Sequence, residues 1–448
     1  MPTLERRLPT VVFSIETMAR EFDGKVVMAT ALASRGCRAI VGHKEVAQTI
    51  ASDSQGIVWQ GKSVTGPTPR GASLAESLPP NGSALMFLSD EGGIFPSDIW
   101  DREILREHRI EILRHLPRLN LCTWGSRQKD VIARAAPEVA PGILVTGNPR
   151  FDLCKPEFAW VDAQPPVDRR RDCLPYILIN TRFSNVVHAN GYQGQFEAFT
   201  RQEFASQDQW FSLWRKDANE FVDFVFLIKE LASRFTTHTV VIRPHPSESS
   251  EFYRAAFAPF RNVVVDRTEN ITYWIRKADL VVHNNCTTGI EAVLAGRPVL
   301  HFLPRGNSPG DMEVAREAGF ATTTVEAAVA AAERLLRGDA PPHAWSDAAK
   351  GAISNLVEPS IPGLLDATLR IVHEQHLLAP QVVVPRIPRS AGRPWFRKRQ
   401  APLSYVESKR GVIDPARVEA ILSGGARAGF GGARVADISP QHVVIEPL

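Results

Sequence analysis

The sequence predicts an α/β fold of two successive doubly wound, Rossmann-type domains that face each other across a cleft. Short β-branched runs alternate with helix-periodic segments over residues 10–146, and the alternation resumes over 176–336. A Pro- and charge-rich stretch, 155–174, separates the two series. The chain has 448 residues, 44% hydrophobic and 23% charged, an ordinary globular composition that is more than one core readily organises.

Taken in order, Thr10-Val-Val-Phe-Ser14 is a strand, and residues 17–35 carry apolar side chains at helical spacing until Gly36 stops them. Arg38-Ala-Ile-Val41 then completes a β-α-β unit, which implies a parallel sheet with right-handed crossovers. Strands follow at 84–88, 119–123 and 142–146, with helices at 100–116 and 127–136 between them. The second series reads as strands at 176–179, 239–242, 262–265, 279–283 and 298–302, with helices at 217–234, 272–277, 288–295 and 325–336. The expected organisation is an acceptor-side domain at 1–154, a hinge at 155–174 and a nucleotide-binding domain at 175–378. A Pro/Arg- and Gly-rich tail at 379–448 completes it, with one short helix that Asp414 caps and Pro415 opens.

The charge balance, Lys+Arg 52 against Asp+Glu 49, is +3 and too small for a nucleic-acid binder. It is also uneven. Arg386, Arg389, Arg393, Arg397, Lys398, Arg399, Lys409 and Arg410 stand against Glu407 alone, so residues 381–410 carry +7 and the rest of the chain −4. The basic stretch reads either as a contact to an anionic membrane surface or as a clasp on the acidic body. Five widely spaced cysteines without a C-x-x-C favour a reducing cytoplasm and neither a disulfide framework nor a zinc site. The apolar run after Arg6 and Arg7 is too short for a signal-peptide core, and residues 221–231 are interrupted by Asp223, Lys229 and Glu230, so any membrane association is expected to be peripheral.

Gly56-Ile-Val-Trp-Gln-Gly61-Lys62-Ser63 matches the P-loop pattern letter for letter, but its context is wrong. The strand-like residues lie inside the motif, and the Pro-rich sequence after Ser63 cannot begin a helix, so Lys62 is expected only as a cation facing the cleft. No G-x-G-x-x-G and no D-x-D is present, which argues against dinucleotide and metal-dependent nucleotide-sugar sites.

Arg243 and His245 end a strand, and Pro244 and Pro246, which bracket His245, hold the backbone so that two donors face a phosphate; the plainer reading is a Pro-rich turn with a solvated His. Asn284-Asn285-Cys286-Thr287-Thr288-Gly289 leads from a strand into a helix whose free N–H groups and hydroxyls suit an anion, or are simply capped by Thr287 or Thr288. Glu291 then contacts a ribose or complements the helix dipole, while His283 and His301 read as packed histidines. Asp90 and Glu91 follow a strand on a Gly-flexed loop, placed for one of them to take a proton from a hydroxyl. Glu16 and Arg20, at the first strand-to-helix turn, form an i,i+4 pair or line the opposite wall; Asn148 and Arg150 touch ligand or shape a turn beside the hinge.

These residues together resemble the bacterial surface carbohydrate biosynthesis proteins. The likeness runs in order through Ile15-Glu-Thr-Met-Ala-Arg-Glu-Phe-Asp23, Gly-His-Lys44, Gly56 to Ser63, Asp90-Glu-Gly-Gly93, Thr146-Gly-Asn-Pro-Arg-Phe-Asp152, Arg243-Pro-His-Pro246 and Asn284 to Gly289. The resemblance implies a cytoplasmic, metal-independent glycosyltransferase of GT-B fold, working on lipopolysaccharide, O-antigen or capsule. The His-Pro element and hydroxyl-rich loop are similar to the nucleotide site of sialyl- and Kdo-transferases. That likeness implies CMP as the donor nucleotide, an acidic ulosonic sugar, His245 on the phosphate, and a lipid-linked or oligosaccharide acceptor. Cys286-Thr287, where those families often carry two serines, and Ser89, where a further acid is expected, are departures from the pattern. A non-hydrolysing UDP-sugar 2-epimerase, or a non-catalytic scaffold of polysaccharide assembly, is the alternative.

Overall fold

A computed structural model describes residues 7–116, 119–162, 175–194, 207–267, 270–304, 306, 311–374, 382–385 and 411–448. The basic stretch 386–410 and most of the expected hinge, 163–174, lie outside the described residues. Two sheets organise the molecule. β1 (Thr10–Ile15), β2 (Arg38–His43), β3 (Val58–Gln60), β4 (Ala84–Leu88), β5 (Leu119–Thr123) and β6 (Ile143–Val145) pair in parallel in the order β2-β1-β3-β4-β5-β6. β7 (Tyr176–Asn180), β8 (Thr239–Arg243), β9 (Val263–Val265), β10 (Leu280–His283), β11 (Val299–Phe302) and β12 (Phe320–Thr322) form the second sheet, also parallel, in the order β12-β11-β10-β7-β8-β9. Both sheets are covered on two faces by apolar layers, and the strands read as continuous Val/Ile/Leu runs for that reason. Among the described residues no helix is long and apolar enough to cross a membrane.

Gly56–Ser63 does not form a P-loop, as its sequence context indicated: β3 occupies its middle, and the next helix does not begin until Leu74. The expected helix 100–116 is broken into Trp100–Glu107 and Ile110–Leu113, because Arg109 takes a left-handed backbone with φ 51°.

The C-terminal part of the chain differs from the sequence reading in two ways. Helix Ser360–Glu374, in the stretch assigned to the second domain, crosses back to the first. Its Ile361, Leu364, Leu365, Ile371 and Val372 pack with Val26, Val27 and Leu32 of helix Met18–Ala33. Asp152 fixes the crossover by accepting hydrogen bonds from Ile361 N (2.7 Å), Ser360 Oγ (2.9 Å) and Asn355 Nδ2 (2.6 Å).

The tail is also more than a short helix. Asp414 accepts from Ala416 N (2.9 Å) at the start of helix Pro415–Arg427, as expected, but β13 (Ala433–Ile438) and β14 (His442–Pro447) then form a hairpin, and β14 pairs antiparallel with β2. The first sheet thereby gains two strands from the far end of the chain. Arg38 on β2 and Glu446 on β14 form an ion pair at 2.6 Å, both side chains almost fully buried. Arg417 closes the junction between the parts, reaching Asp23 (2.8 Å) and Asp162 (3.1 Å), while Arg276 of the second domain also pairs with Asp162 (3.3 Å).

A buried guanidinium cannot be left without its carboxylate. Glu446→Ala is expected to cost about 3–5 kcal/mol in urea denaturation, and Arg38→Met with Glu446→Leu is expected to recover most of it. A loss no larger than a surface pair gives would show that the hairpin is an appendage.

Candidate functional site

The carboxyl edge of the first sheet carries a dense charge cluster. β1 ends at Ile15, and the turn into helix Met18–Ala33 brings Glu16, Arg20, Glu21 and Lys25 to the cleft side. The loop after β4 adds Asp90 and Glu91, and the segment after β3 adds Lys62. Lys25 Nζ is buried and donates to Asp90 Oδ2 (2.7 Å), Glu21 Oε2 (2.7 Å) and the Ser14 carbonyl (2.6 Å). Arg20 pairs with Glu91, and Lys62 Nζ lies 3.7 Å from Glu16, 3.8 Å from Glu91 and 3.9 Å from Glu107. Glu16 also takes Lys44 (3.0 Å) and Ser63.

Burial raises the Asp90 carboxyl, and the neighbouring Lys25 only partly offsets it, leaving its pKa at about 6. Burial alone would depress the Lys25 ammonium, but Asp90 and Glu21 outweigh it and hold its pKa above the ordinary lysine value.

Two glycines set the Asp90 loop. A Cβ on Gly93 would lie 1.9 Å from the Trp124 ring, and Gly92 has φ 72° with the Glu107 side chain packed against it. Trp124 Nε1 (2.8 Å) and Asn148 Nδ2 (3.2 Å) both donate to the Ser89 carbonyl, so Asn148 braces this loop while its Oδ1 accepts from Arg150 N (2.9 Å). Phe13, Met28, Leu88 and Leu364 floor a pocket whose rim includes Arg20, Lys25, Asp90, Asn148 and Arg150.

The opposite wall is the carboxyl edge of the second sheet. Asn180 stands in register with Arg243 on one side and His283 on the other, and its buried Nδ2 finds no hydrogen-bond partner among the described residues. Arg243 lies over the Trp274 ring, 5.7 Å from its centroid. His245 Nδ1 accepts from Ser247 N (3.2 Å), which leaves the proton of the neutral ring on Nε2. Glu248 anchors this turn, accepting from Thr181 Oγ1 (2.6 Å), Phe183 N (2.6 Å) and Tyr253 OH (2.7 Å).

The stacked rings of His283 and His301, 4.3 Å apart, shape the next loop. His301 Nε2 accepts from Asn285 N (3.0 Å) and His283 Nδ1 from Cys286 N (3.3 Å), so both rings are packed and neutral, with each remaining N–H directed at a carbonyl. Asn285, between them, holds a left-handed φ of 51°. Helix Thr287–Leu294 begins there with Cys286 at its N-cap, and no side chain caps it. The Thr288 hydroxyl is buried without a partner among the described residues. Gly289 is required because a Cβ would come 2.3 Å from His283 Nε2.

Arg150 joins the walls, donating from Nη2 to Thr287 Oγ1 (2.8 Å) and from Nε to Glu291. Glu291 is therefore committed to a buried interdomain ion pair, where sequence expected a ribose or dipole contact.

Of the sequence-nominated residues, Asp90, Arg20, Asn148 and Arg150 line one pocket, and Glu16, Lys62 and Glu91 belong to its charge cluster. Thr287 and Glu291 reach it through Arg150. Arg243 and His245 stand two strands away from β10 along the same sheet edge. Glu21, Lys25 and Glu107 were missed, although the i,i+4 spacing of Glu21 and Lys25 was a readable signal.

Fold and site define a class: a two-domain α/β protein whose cleft sets a polar, helix-opened edge on one sheet against a buried acid–base cluster on the other. No family model matches the sequence, and no curated protein matches it. Among solved structures, the chain is similar to a putative UDP-N-acetylglucosamine 2-epimerase from Listeria monocytogenes (12% identity, 82% of this chain and 96% of that one, TM-score 0.47). It is also similar to a variant of the wall teichoic acid polymerase TagF (12%, 83% and 90%, 0.48). A third is the UDP-GlcNAc 2-epimerase from Neisseria meningitidis bound to UDP-GlcNAc (11%, 81% and 99%, 0.44).

Burial holds the His301 pKa at about 4, below the ordinary 6.5. Stability from this group is complete above pH 6.5 and lost as pH falls toward 4, with a ceiling of roughly 3 kcal/mol. Thermal denaturation between pH 7.5 and 4.5 is expected to show a steeper loss in the wild type than in His301→Gln. Parallel curves would mean that His301 is not held neutral.

Proposed function

We propose that the chain is a GT-B-type enzyme that uses a nucleotide sugar, transferring the sugar to a surface-glycan acceptor. The observation that carries this reading is the junction at Arg150, which lines the Asp90 pocket and also donates to Thr287 in the first turn of the opposite helix. The nucleotide phosphate lies against Arg243, His245 and the N–H groups of the Thr287 turn, which offset charge on the leaving group. The partnerless Asn180 amide and Thr288 hydroxyl support a polar ligand there.

Asp90 acts as the base, in preference to Glu91, because Asp90 lines the pocket and Glu91 is not among its lining residues. It takes the acceptor hydroxyl proton, the oxygen attacks the anomeric carbon, and the bond from that carbon to the phosphate oxygen breaks with its electron pair on the departing nucleotide. A pKa of about 6 suits a base working near neutrality. The resemblance of the His-Pro and threonine elements puts CMP and an ulosonic sugar first among donors, and a lipid-linked glycan first among acceptors.

One observation favours 2-epimerisation of a UDP-sugar as a second reading. Glu16, Glu21, Asp90, Glu91 and Glu107 concentrate carboxylates on one wall, more than a single-base transfer requires.

Calorimetry with CMP, UDP, GDP and CDP separates the readings. CMP is expected to bind and to raise stability by about 3 kcal/mol at a hundredfold excess over Kd, and His245→Ala to weaken it at least tenfold. Preference for UDP, with turnover of UDP-GlcNAc alone, would establish the epimerase instead. Binding of none would overturn the proposal.

A further inference from the structure

Lys25 is an ammonium group in the interior of the first domain, and its three oxygen partners come from three places: the end of β1, its own helix and the loop after β4. Glu21, one turn earlier, is fixed in turn. Its Oε1 accepts from Thr17 N and its Oε2 from Glu16 N, both at 3.0 Å, so the carboxylate is tied to the otherwise uncapped start of the helix. This makes a relay of position: helix start to Glu21, Glu21 to Lys25, Lys25 to Asp90. A lysine stem alone is free to rotate about four bonds. Three oxygens at 2.6–2.7 Å leave this one a single placement.

We propose that Lys25 is a positioning residue for the catalytic base, holding the Asp90 carboxylate at the pocket wall while Glu21 and the Ser14 carbonyl hold Lys25. The inference rests on the reading of Asp90 as base. Lys25 is on the pocket rim, but its three hydrogen bonds all go to protein oxygens, and the one that reaches the reacting group is the bond to Asp90.

Other charged groups surround Asp90. Glu21 is on the helix that carries Lys25, Lys62 is beyond β3, Glu91 and its partner Arg20 are beside the loop, and Glu107 lies behind it. Arg150 shares the pocket rim. Lys25 is the cation in contact with Asp90, so its removal dominates the change at that carboxyl.

Carboxyl-carbon NMR of the full chain, labelled at aspartate Cγ and assigned with Asp90→Asn, reads the group directly. Wild-type Asp90 is expected to titrate near pH 6. In Lys25→Met the midpoint is expected to rise by about 1–3 units, and Lys25→Arg is expected to restore much of the change. Glu21→Gln is expected to move it the opposite way, because a neighbouring negative charge is removed, and this variant serves if Lys25→Met does not fold. An unchanged midpoint in folded Lys25→Met, or unchanged in Glu21→Gln, would overturn the proposal. The base reading is tested separately by the activity of Asp90→Asn on the donor that binds. Retained activity there would overturn the catalytic part even if the titrations shift as expected.

Discussion

A charge taken out of water must keep a partner, and that constraint fixes most of this molecule's geometry. Lys25 meets it with Asp90, Glu21 and the Ser14 carbonyl, which locks the first helix to β1 and to the loop after β4. Arg150 meets it with Glu291, which spans the two domains. Arg417 meets it with Asp23 and Asp162, and Arg38 with Glu446, which bring the end of the chain back onto the first domain. Removing a member of any of these groups leaves a buried charge short of a partner, so the arrangement is more specific than apolar packing alone would make it.

The two walls of the cleft solve different problems with the same material. On the second sheet, stacked neutral histidines and a left-handed Asn285 open a helix with its first N–H groups uncapped by side chains. On the first sheet, carboxylates and amines pair around an apolar floor, and burial lifts the Asp90 carboxyl to about 6 against the opposing pull of Lys25. The proposed group transfer uses the second sheet's wall for the phosphate leaving group and the first sheet's wall for the base.

Much of the architecture was legible in the residues. Runs such as Ala84–Leu88 and Tyr176–Asn180 are buried on both faces and read as strands without ambiguity. The hairpin Ala433–Pro447 was not legible, because β13 is a partly exposed edge strand after a Gly-rich run, and its partner β2 lies some 400 residues away. Residues 360–374 fall in the stretch assigned to the second domain because an apolar stripe does not reveal which core receives it. At the site, Asp90 and Glu91 could be named but not separated, since only the fold shows that one meets Lys25 and the other Arg20. Glu21 and Lys25 look in sequence like any solvated i,i+4 pair, and burial is what distinguishes them.

If one ligand sits on the second sheet's edge and faces the first sheet's carboxylate across the cleft, hydrogen exchange of the full chain, with and without the tightest-binding nucleotide, reads that placement directly. Slowed exchange is expected at 243–249 and 285–291, with little change in the hairpin 433–447. Protection centred on 56–63, as a phosphate-cradling loop would give, with 285–291 unchanged, would contradict it.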